Sequence, residues 1–311
     1  MGYSIYPQII TKIKKVLKEK KLKLLSEGPE FFVERKLRFY HALCKNEEGK
    51  KVFFKSLLKR ERNIKNRFFN EINFLKKMTK NKSLPLAKRV PKLLDFSLKK
   101  DFPFLIYEYL PGRARCRKDF LKKEEIKEAV FLMKLIRETE INFSFIPKKP
   151  LFNFKKYSQK IFALLKKIKL KESFERKILK FVQKTKPIFK IIKPKLNHGD
   201  FSEANLIFYK GKAKIIDWEH VHLRNPLYDF VSFWTKRKRE RGEIEKEFFK
   251  QNGKIECFFP LFKAALIEIL LKNLVFFEEM IEFAKERKDK KTILEREKEI
   301  KENLNLLKKY L

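Results

Sequence analysis

The chain has 311 residues, which is enough to bury a sizeable core and to form two lobes. Hydrophobic residues make up 43% and aromatic residues 14% of the sequence, and this composition excludes wholesale disorder. Lysine and arginine number 78 against 39 aspartates and glutamates, a formal net charge of +39 that indicates either an anionic partner or a compositional bias with a solvated basic surface.

The amino-terminal segment is basic and amphipathic. Residues 3–25 carry apolar side chains at helical spacing and contain no continuous apolar stretch, which predicts a helix and argues against a signal peptide. We therefore assign residues 1–25 to an N-terminal basic helix and residues 26–110 to a first, β-rich lobe. The first predicted strands of this lobe are Phe31–Lys36, Leu37–Lys45 and Lys51–Leu57.

The rest of the first lobe combines one helix with two more strands. Residues 60–79 predict a helix, followed by strands at Val90–Lys99 and Phe104–Tyr109. The helix carries one inward stripe, consisting of Ile64, Phe68, Glu71, Ile72 and Leu75. A break at Pro111 and Gly112 then ends a five-stranded sheet with one helix.

The second lobe, residues 111–311, is predicted to be mostly helical. Its predicted helices cover about 121–140, 152–168, 172–187, 226–250 and 258–310. The most apolar stretch, Cys257–Phe277, contains Lys263, Glu268 and Lys272, so we interpret it as a buried core helix and expect no transmembrane segment. A small β-rich lobe followed by a larger helical lobe is an α+β, two-lobe architecture.

Two compositional features bear on localisation and partners. Cys44, Cys116 and Cys257 are widely spaced, so they indicate neither a disulfide framework nor a zinc site and fit a reducing cytoplasm. The basic run 236–241 is predicted to be a solvated helix face. It has no aromatic-interleaved binding motif beside it, so we expect no specific nucleic-acid partner.

The most informative segment reads HGDFSEANLIF and is followed closely by KIIDWE. The pattern predicts a hairpin formed by Ala204–Tyr209 and Lys212–Ile216. This hairpin brings Asp200, Asn205 and Asp217 to one end. These side chains supply one general base and two oxygen ligands suited to Mg²⁺, a hard cation.

This segment resembles the aminoglycoside phosphotransferase and choline kinase superfamily, relatives of the protein kinases. The shared pattern, His-x-Asp-x₄-Asn followed by Ile-Asp-x-Glu, is matched by His198, Asp200, Asn205, Asp217 and Glu219. The resemblance implies a protein-kinase-like fold in which Asp200 accepts the proton of the substrate hydroxyl. It further implies that Asn205 and Asp217 hold Mg²⁺ on the phosphates of ATP.

The resemblance also implies supporting roles around this segment. His198 is expected to order the catalytic loop and Asp229 to brace it, although Asp229 could instead be a charge at a helix N-terminus. Glu219 could assist a metal, touch the substrate or be an exposed acid. His220 and His222 without further ligands do not indicate zinc.

The first lobe contains residues that fit the same resemblance. Lys55 lies where kinase-like folds place the lysine that contacts the α and β phosphates. Glu71 points inward on its helix and would be costly without a partner, so we predict a Lys55–Glu71 ion pair. In the connector after the last strand, backbone groups of Glu108 and Leu110 are expected to hold the nucleotide base.

Some features depart from the protein-kinase pattern. The loop 34–37 has no glycine, so a glycine-rich phosphate cover is missing, and there is no Walker A sequence. Gly199 replaces the arginine that usually follows the histidine, Trp218 and Glu219 replace Phe-Gly, and no activation segment follows. These departures favour a kinase of small molecules.

We therefore expect a phosphotransferase that moves the γ-phosphoryl group of MgATP to a hydroxyl of a sugar, an amino alcohol or an antibiotic-like acceptor. The alternatives are a noncatalytic nucleotide-binding protein of the same fold and a kinase acting on an anionic glycan or lipid-linked acceptor. GTP is an alternative to ATP. The basic segment 220–260 favours an anionic acceptor over a polycationic one.

Overall fold

The computed structural model describes residues 7–27, 38–58, 61–99, 102–116, 118–140 and 153–311. The chain divides into two units. The first comprises Met1–Ala114 and Asn205–His220, and the second comprises Arg115–Ala204 and Val221–Leu311. The first unit is built on a β-sheet and the second is mainly helical, as the α+β prediction requires.

An antiparallel sheet forms the centre of the first unit. The strands are β1 (Lys23–Glu27), β2 (Phe39–Lys45), β3 (Lys51–Leu57), β4 (Leu93–Ser97) and β5 (Phe104–Glu108). In the described residues their order in the sheet is β1-β2-β3-β5-β4. Helix α1 (Pro7–Glu19) packs on this sheet, because Ile13 and Leu17 belong to the same buried cluster as Val52 and Phe54.

Helix α2 (Arg62–Lys80) follows β3. The inward stripe expected from its helical periodicity is confirmed, since all five members are buried: Ile64, Phe68, Glu71, Ile72 and Leu75. Four of them are apolar and stabilise the unit by leaving water. Glu71 is the exception, and its burial places a carboxylate inside the unit.

The prediction of one helix over residues 3–25 is wrong at its carboxyl end. Helix α1 ends at Glu19, and Lys21 has a positive φ of 51°, which a right-handed helix does not accommodate. The chain then enters β1, where Leu24 is the register partner of Cys44. The predicted strand Phe31–Lys36 lies outside the described residues.

The predicted hairpin is present and belongs to the first unit. Its strands are β8 (Leu206–Tyr209) and β9 (Lys212–Ile215), while β6 (Arg113–Ala114) pairs with β8 on the other side. Gly112, just before β6, has a φ of 136°, and a Cβ added there would lie 2.5 Å from the backbone oxygen of Phe208. Glycine is therefore required where the connector passes the hairpin.

The second unit consists mainly of helices. They are α3 (Lys123–Glu138), α4 (Phe154–Leu165), α5 (Glu172–Lys184), α6 (Ile188–Ile191), α7 (Tyr228–Lys236), α8 (Arg241–Asn252), α9 (Phe258–Glu286) and α10 (Lys290–Tyr310). Strand β7 (Lys195–Asn197) pairs antiparallel with β10 (His222–Arg224). The prediction of a buried core helix in the apolar stretch is confirmed, because most of the first half of α9 is buried. No helix in the described parts of the chain is long and apolar enough to cross a membrane.

Two long predicted helices are each divided in the structure. The predicted helix 226–250 is α7 and α8, and the predicted helix 258–310 is α9 and α10. The second division falls where Lys288 has a positive φ of 56° and the Asp289 carboxylate accepts a hydrogen bond from the backbone N–H of Thr292, capping α10.

The basic run 236–241 is not the solvated helix face that the sequence predicted. It spans the junction of α7 and α8, and the side chain of Arg237 is only 2% exposed. The Arg237 guanidinium donates to the backbone oxygen of Asp119 and to the Glu240 carboxylate. These hydrogen bonds explain why the Arg237 side chain can be buried, because they replace the hydrogen bonds that its guanidinium would make to water.

Candidate active site

The central charge of the first unit is Lys55 on β3. Its Nζ donates to Oε2 of Glu71 at 2.6 Å and to Oδ1 of Asp217 at 2.8 Å. The Lys55 side chain is 4% exposed, and its ammonium also lies 4.4 Å from the ring centre of Phe39. The structure thus contains the ion pair expected between Lys55 and Glu71, and it adds Asp217 as a second carboxylate partner.

Burial and charge act in opposite directions within this cluster. Burial lowers the pKa of Lys55, but the carboxylates of Asp217 and Glu71 outweigh it, so the pKa of Lys55 is raised and the ammonium stays charged. Burial raises the pKa of Glu71 to about 7, against the opposing effect of Lys55. The two carboxylates that share the lysine differ in exposure, since the Glu71 side chain is 2% exposed and the Asp217 side chain 34%.

Local backbone geometry directs Asp217 toward this lysine. Asp217 follows β9 with a positive φ of 63°, which turns the chain sharply. The next residue, Trp218, is anchored on α2, because its ring stacks on Phe74 at a centroid distance of 3.9 Å. The indole N–H of Trp218 donates to the backbone oxygen of Ile215 at 3.1 Å. These contacts fix the turn that carries Asp217.

Asn205 and Asp217 flank the two strands of the hairpin. The backbone N–H of Ile216 donates to the backbone oxygen of Asn205 at 3.0 Å, so the two chain segments meet at this end. An amide and a carboxylate form an all-oxygen donor set, which fits Mg²⁺. No group of three or more His, Cys, Asp or Glu suited to a metal occurs among the described residues. A Mg²⁺ ion here would therefore also need oxygens from phosphate or water, as is usual for this ion.

Glu219 is buried, so the interpretation of this residue as an exposed acid is wrong. Its Oε1 lies 3.3 Å from Nη1 of Arg38 and 3.0 Å from Nε2 of His220. Burial raises the pKa of Glu219, but His220, Lys55 and Arg38 together lower it to about 2. Glu219 is thus a charged structural partner within the first unit.

The connector residues lie at the end of β5. The backbone N–H of Glu108 donates to the backbone oxygen of Lys92 at 3.0 Å. The Glu108 carboxylate accepts from Nζ of Lys214 on β9 at 2.6 Å, a contact that the sequence did not predict. Leu110 is buried two residues further on. The side chain of Glu108 is thus held by the hairpin.

In the second unit, Asp229 organises the loop of His198 and Asp200. Its carboxylate accepts from the backbone N–H groups of His198 at 2.6 Å and Gly199 at 2.9 Å. The backbone N–H of Asp200 in turn donates to Nδ1 of His198 at 3.3 Å. Burial raises the pKa of Asp229, while His198 and the two backbone hydrogen bonds oppose this shift. The loop is held by a carboxylate that lies in the first turn of α7.

Asp200 has a partner that the sequence analysis missed. Nζ of Lys236, the last residue of α7, donates to Oδ1 of Asp200 at 2.8 Å, and the Asp200 side chain is 43% exposed. Asp229 and Lys236 are seven residues apart, which places them on the same face of the helix two turns apart. The spacing could have indicated that Lys236 lies near the loop held by Asp229, but Lys236 belongs to a run of basic residues that gave no reason to single it out.

The small antiparallel sheet unit and the helical unit have the architecture of the protein-kinase-like fold. The sequence matches the model of the phosphotransferase enzyme family over residues 55–258, which is more than half of the chain. The chain belongs to this family. The matched range includes every residue from Lys55 to Asp229 described above.

Solved structures of this fold are similar over nearly the whole chain. The complex of APH(2")-IIia with GDP and kanamycin has a TM-score of 0.67 at 15% identity, covering 94% of this chain and 98% of that chain. Spectinomycin phosphotransferase APH(9)-Ia with ADP and spectinomycin has a TM-score of 0.61 at 14% identity, covering 94% and 93%. Choline kinase LicA from Streptococcus pneumoniae has a TM-score of 0.61 at 15% identity, covering 97% and 100%. No curated protein matches the sequence.

Proposed function

We propose that this phosphotransferase moves the γ-phosphoryl group of ATP, in the presence of Mg²⁺, to a hydroxyl group of a small molecule. The observation that carries the proposal is the double contact of Lys55 with Glu71 and Asp217. Three residues far apart in the sequence meet there, and each has a place in the general scheme of kinase phosphoryl transfer. Relatives of the same fold were solved with GDP or ADP, so ATP and GTP are both candidate donors.

The first unit supplies the nucleotide-binding groups of this proposal. Lys55, held by Glu71, contacts the phosphates, while backbone groups of Glu108 and Leu110 contact the base. Asn205 and Asp217 are the residues that would hold Mg²⁺, which would neutralise the charge that develops on the phosphate oxygens. Oriented charges of this kind account for most of the catalysis of phosphoryl transfer.

The second unit supplies the base. Asp200 accepts the proton of the acceptor hydroxyl while the hydroxyl oxygen forms a bond to the γ-phosphorus. The bond from that phosphorus to the bridging oxygen breaks, and the nucleoside diphosphate leaves with the electron pair. His198 and Asp229 act as positioning residues, because they hold the backbone of the loop that carries Asp200. The free thiols of Cys44, Cys116 and Cys257 fit the cytoplasm as the site of this reaction.

The test is transfer of label from γ-labelled ATP or GTP. The protein is incubated with Mg²⁺ and either a panel of hydroxyl metabolites or the low-molecular-mass fraction of a cell extract, and labelled products are separated. We expect a labelled small molecule, no label with EDTA, and none with Asp200→Asn. Nucleotide binding without label transfer in either arm would support the noncatalytic alternative and contradict the proposal.

A further inference from the structure

A cavity of about 230 Å³ lies within the second unit, between α4, α6, β10 and α9. Among the described residues that line it, Lys156, Lys160 and Arg224 are basic and Glu268 is the acidic one. Tyr157 and Phe189 form an aromatic wall, with ring centres 5.0 Å apart. The cavity is smaller than the roughly 300–1,000 Å³ of pockets for drug-sized ligands, so it suits a compact molecule.

Arg224 has buried donors without acceptors. Its Nε and Nη1 are buried and have no hydrogen-bond partner among the described residues. The nearest counter-charge, Oε1 of Glu268, is 3.8 Å from Nη1 and is also bonded to Lys160. A buried guanidinium with unused donors is costly, and it is the side chain best suited to bind phosphate or carboxylate oxygens. The two donors can therefore bind the oxygens of an anion.

Contacts extend from Arg224 to Lys272, which interacts electrostatically with Asp200. The Arg224 guanidinium lies 4.6 Å from the ring centre of Tyr228, and the Tyr228 hydroxyl accepts from Nζ of Lys272 at 2.9 Å. Burial and the charge of Arg224 lower the pKa of Lys272 to about 8, whereas Glu268 and Asp200 oppose the shift. Positive charge is thus already concentrated here, and a cationic ligand would be repelled.

We propose that this cavity binds the acceptor, and that the acceptor is a compact hydroxyl compound carrying an anionic phosphate or carboxylate group. The inference rests on the proposed function and adds the charge class of the substrate. The anionic group lies on Arg224 and Lys160, where it satisfies the unused donors. In this proposal the acceptor hydroxyl is presented to Asp200. A cationic or neutral acceptor would leave the guanidinium unsatisfied.

The experiment measures binding separately from transfer. Glucose, glucose 6-phosphate, glucuronate and glucosamine are titrated by calorimetry into protein saturated with AMP-PNP, which occupies the nucleotide site. We expect at least one anionic sugar to bind about tenfold more tightly than glucose, and glucosamine to bind more weakly than glucose. The better of the two anions distinguishes phosphate from carboxylate. Equal or weaker binding of both anions than of glucose would overturn the proposal.

Variants locate the binding in the cavity. Arg224→Gln and Lys160→Gln should each weaken the anionic sugar by about tenfold. Glu268→Gln should strengthen it by about threefold, an effect in the opposite direction that misfolding cannot produce. The control is Arg176→Gln on α5, whose side chain is 73% exposed and should leave affinity unchanged. Anion binding that is insensitive to all three cavity variants would refute the assignment of this site.

The two proposals fail in different ways. Binding of the anionic sugar that depends on Arg224, without transfer of label to any acceptor, would leave the cavity assignment standing and remove the proposed activity. Transfer to neutral or cationic hydroxyl compounds with kcat/KM at least equal to that of anionic ones would retain the activity. In that case the charge class proposed for the acceptor would be wrong.

Discussion

The charged clusters of the two units differ in the sign of their excess charge. In the first unit, Lys55 is surrounded by the carboxylates of Glu71, Asp217 and Glu219. In the second unit, three basic side chains from α4, α7 and β10 pair with only two carboxylates, Asp200 and Glu268. In a chain of net charge +39, a concentration of carboxylates is the less expected feature. It therefore carries more information about chemistry than the basic cluster does.

The difference between the clusters suits the two substrates that we propose. A carboxylate-rich cluster with a single buried lysine can hold a divalent cation while leaving one positive group for phosphate. A cluster rich in basic groups attracts an anionic molecule and raises its rate of encounter at low salt. The predictions that follow change one member of either cluster, beginning with the largest expected effect.

Replacing Asp200, the proposed base in the second cluster, should have the largest effect. Asp200→Asn keeps the shape of the side chain but does not accept the hydroxyl proton, so we expect kcat to fall by about 10³-fold. The affinity for nucleotide should change by less than about threefold, because nucleotide binding is assigned to residues of the first unit. Single-turnover transfer and equilibrium nucleotide binding measure the two quantities. Turnover near that of the wild type would remove Asp200 from the role of base.

Removing the lysine of the first cluster should lower stability and also weaken the proposed phosphate contacts. Lys55→Met leaves Glu71 and Asp217 without their shared cation, and breaking such a buried pair costs roughly 3–5 kcal/mol. The double variant Lys55→Met with Glu71→Gln should be less destabilised than the sum of the two single variants. Urea unfolding of the four proteins measures this coupling. Additive losses would show that the 2.6 Å contact contributes no coupling energy.

Much of the fold follows from local patterns, and the parts that do not are explained by distant partners. Strand β3 and the buried stripe of α2 were predicted because alternation and helical periodicity involve neighbouring residues only. Strand β1 was missed, since its residues continue the basic composition of α1 and become a strand only by pairing with β2. The divisions at Arg237 and Lys288 were missed because each depends on side-chain or backbone contacts that no periodicity encodes.

The candidate site shows the same division between local and distant information. The Lys55–Glu71 pair could be predicted, because an inward carboxylate on an apolar stripe requires a cation and the family resemblance points to Lys55 as that cation. The Arg38–Glu219 contact joins residues 181 positions apart, and the sequence offers no reason to choose Arg38 among 78 basic residues. The Lys236–Asp200 contact was not predicted for the same reason, although the seven-residue spacing of Lys236 from Asp229 can be read from the sequence.

An acid titration tests the carboxylate-rich cluster of the first unit through the pKa of Glu219. Its pKa is lowered from 4.5 to about 2 in the folded protein, so the unfolded chain takes up the proton first as the pH falls. The contribution of Glu219 to the free energy of unfolding amounts to about 3 kcal/mol. It is fully present above about pH 4.5 and is lost as the pH approaches about 2. Glu219→Gln should lack this component in a series of denaturant titrations between pH 5 and 2. An unchanged pH dependence in the variant would contradict the lowered pKa.

The smallest effect on stability is expected from Lys272, whose charge destabilises the folded protein, whereas that of Glu219 stabilises it. Because its pKa is lowered to about 8, the folded protein holds an unfavourable charge at neutral pH. Between about pH 8 and 10.5 the unfolded chain binds a proton that the folded chain lacks, so stability should rise with pH in this range. Lys272→Met should raise the free energy of unfolding at pH 7 by about 1 kcal/mol, a net value that includes the loss of the hydrogen bond to Tyr228. Thermal unfolding at pH 7 and 9 checks both signs, and a less stable variant would contradict this account.

The close approach of Gly112 to the backbone of Phe208 affects the residues proposed to hold Mg²⁺. Any side chain at position 112 would meet the main chain of β8 at 2.5 Å, so β8 would have to move away. The hairpin that moves also carries Asn205 at its start and Asp217 just beyond its end. A methyl group at a position that offers no ligand, charge or hydrogen-bonding side chain could therefore disable the proposed Mg²⁺ ligands. At position 112, substitution is limited by the space beside one backbone oxygen and not by the chemistry of the side chain.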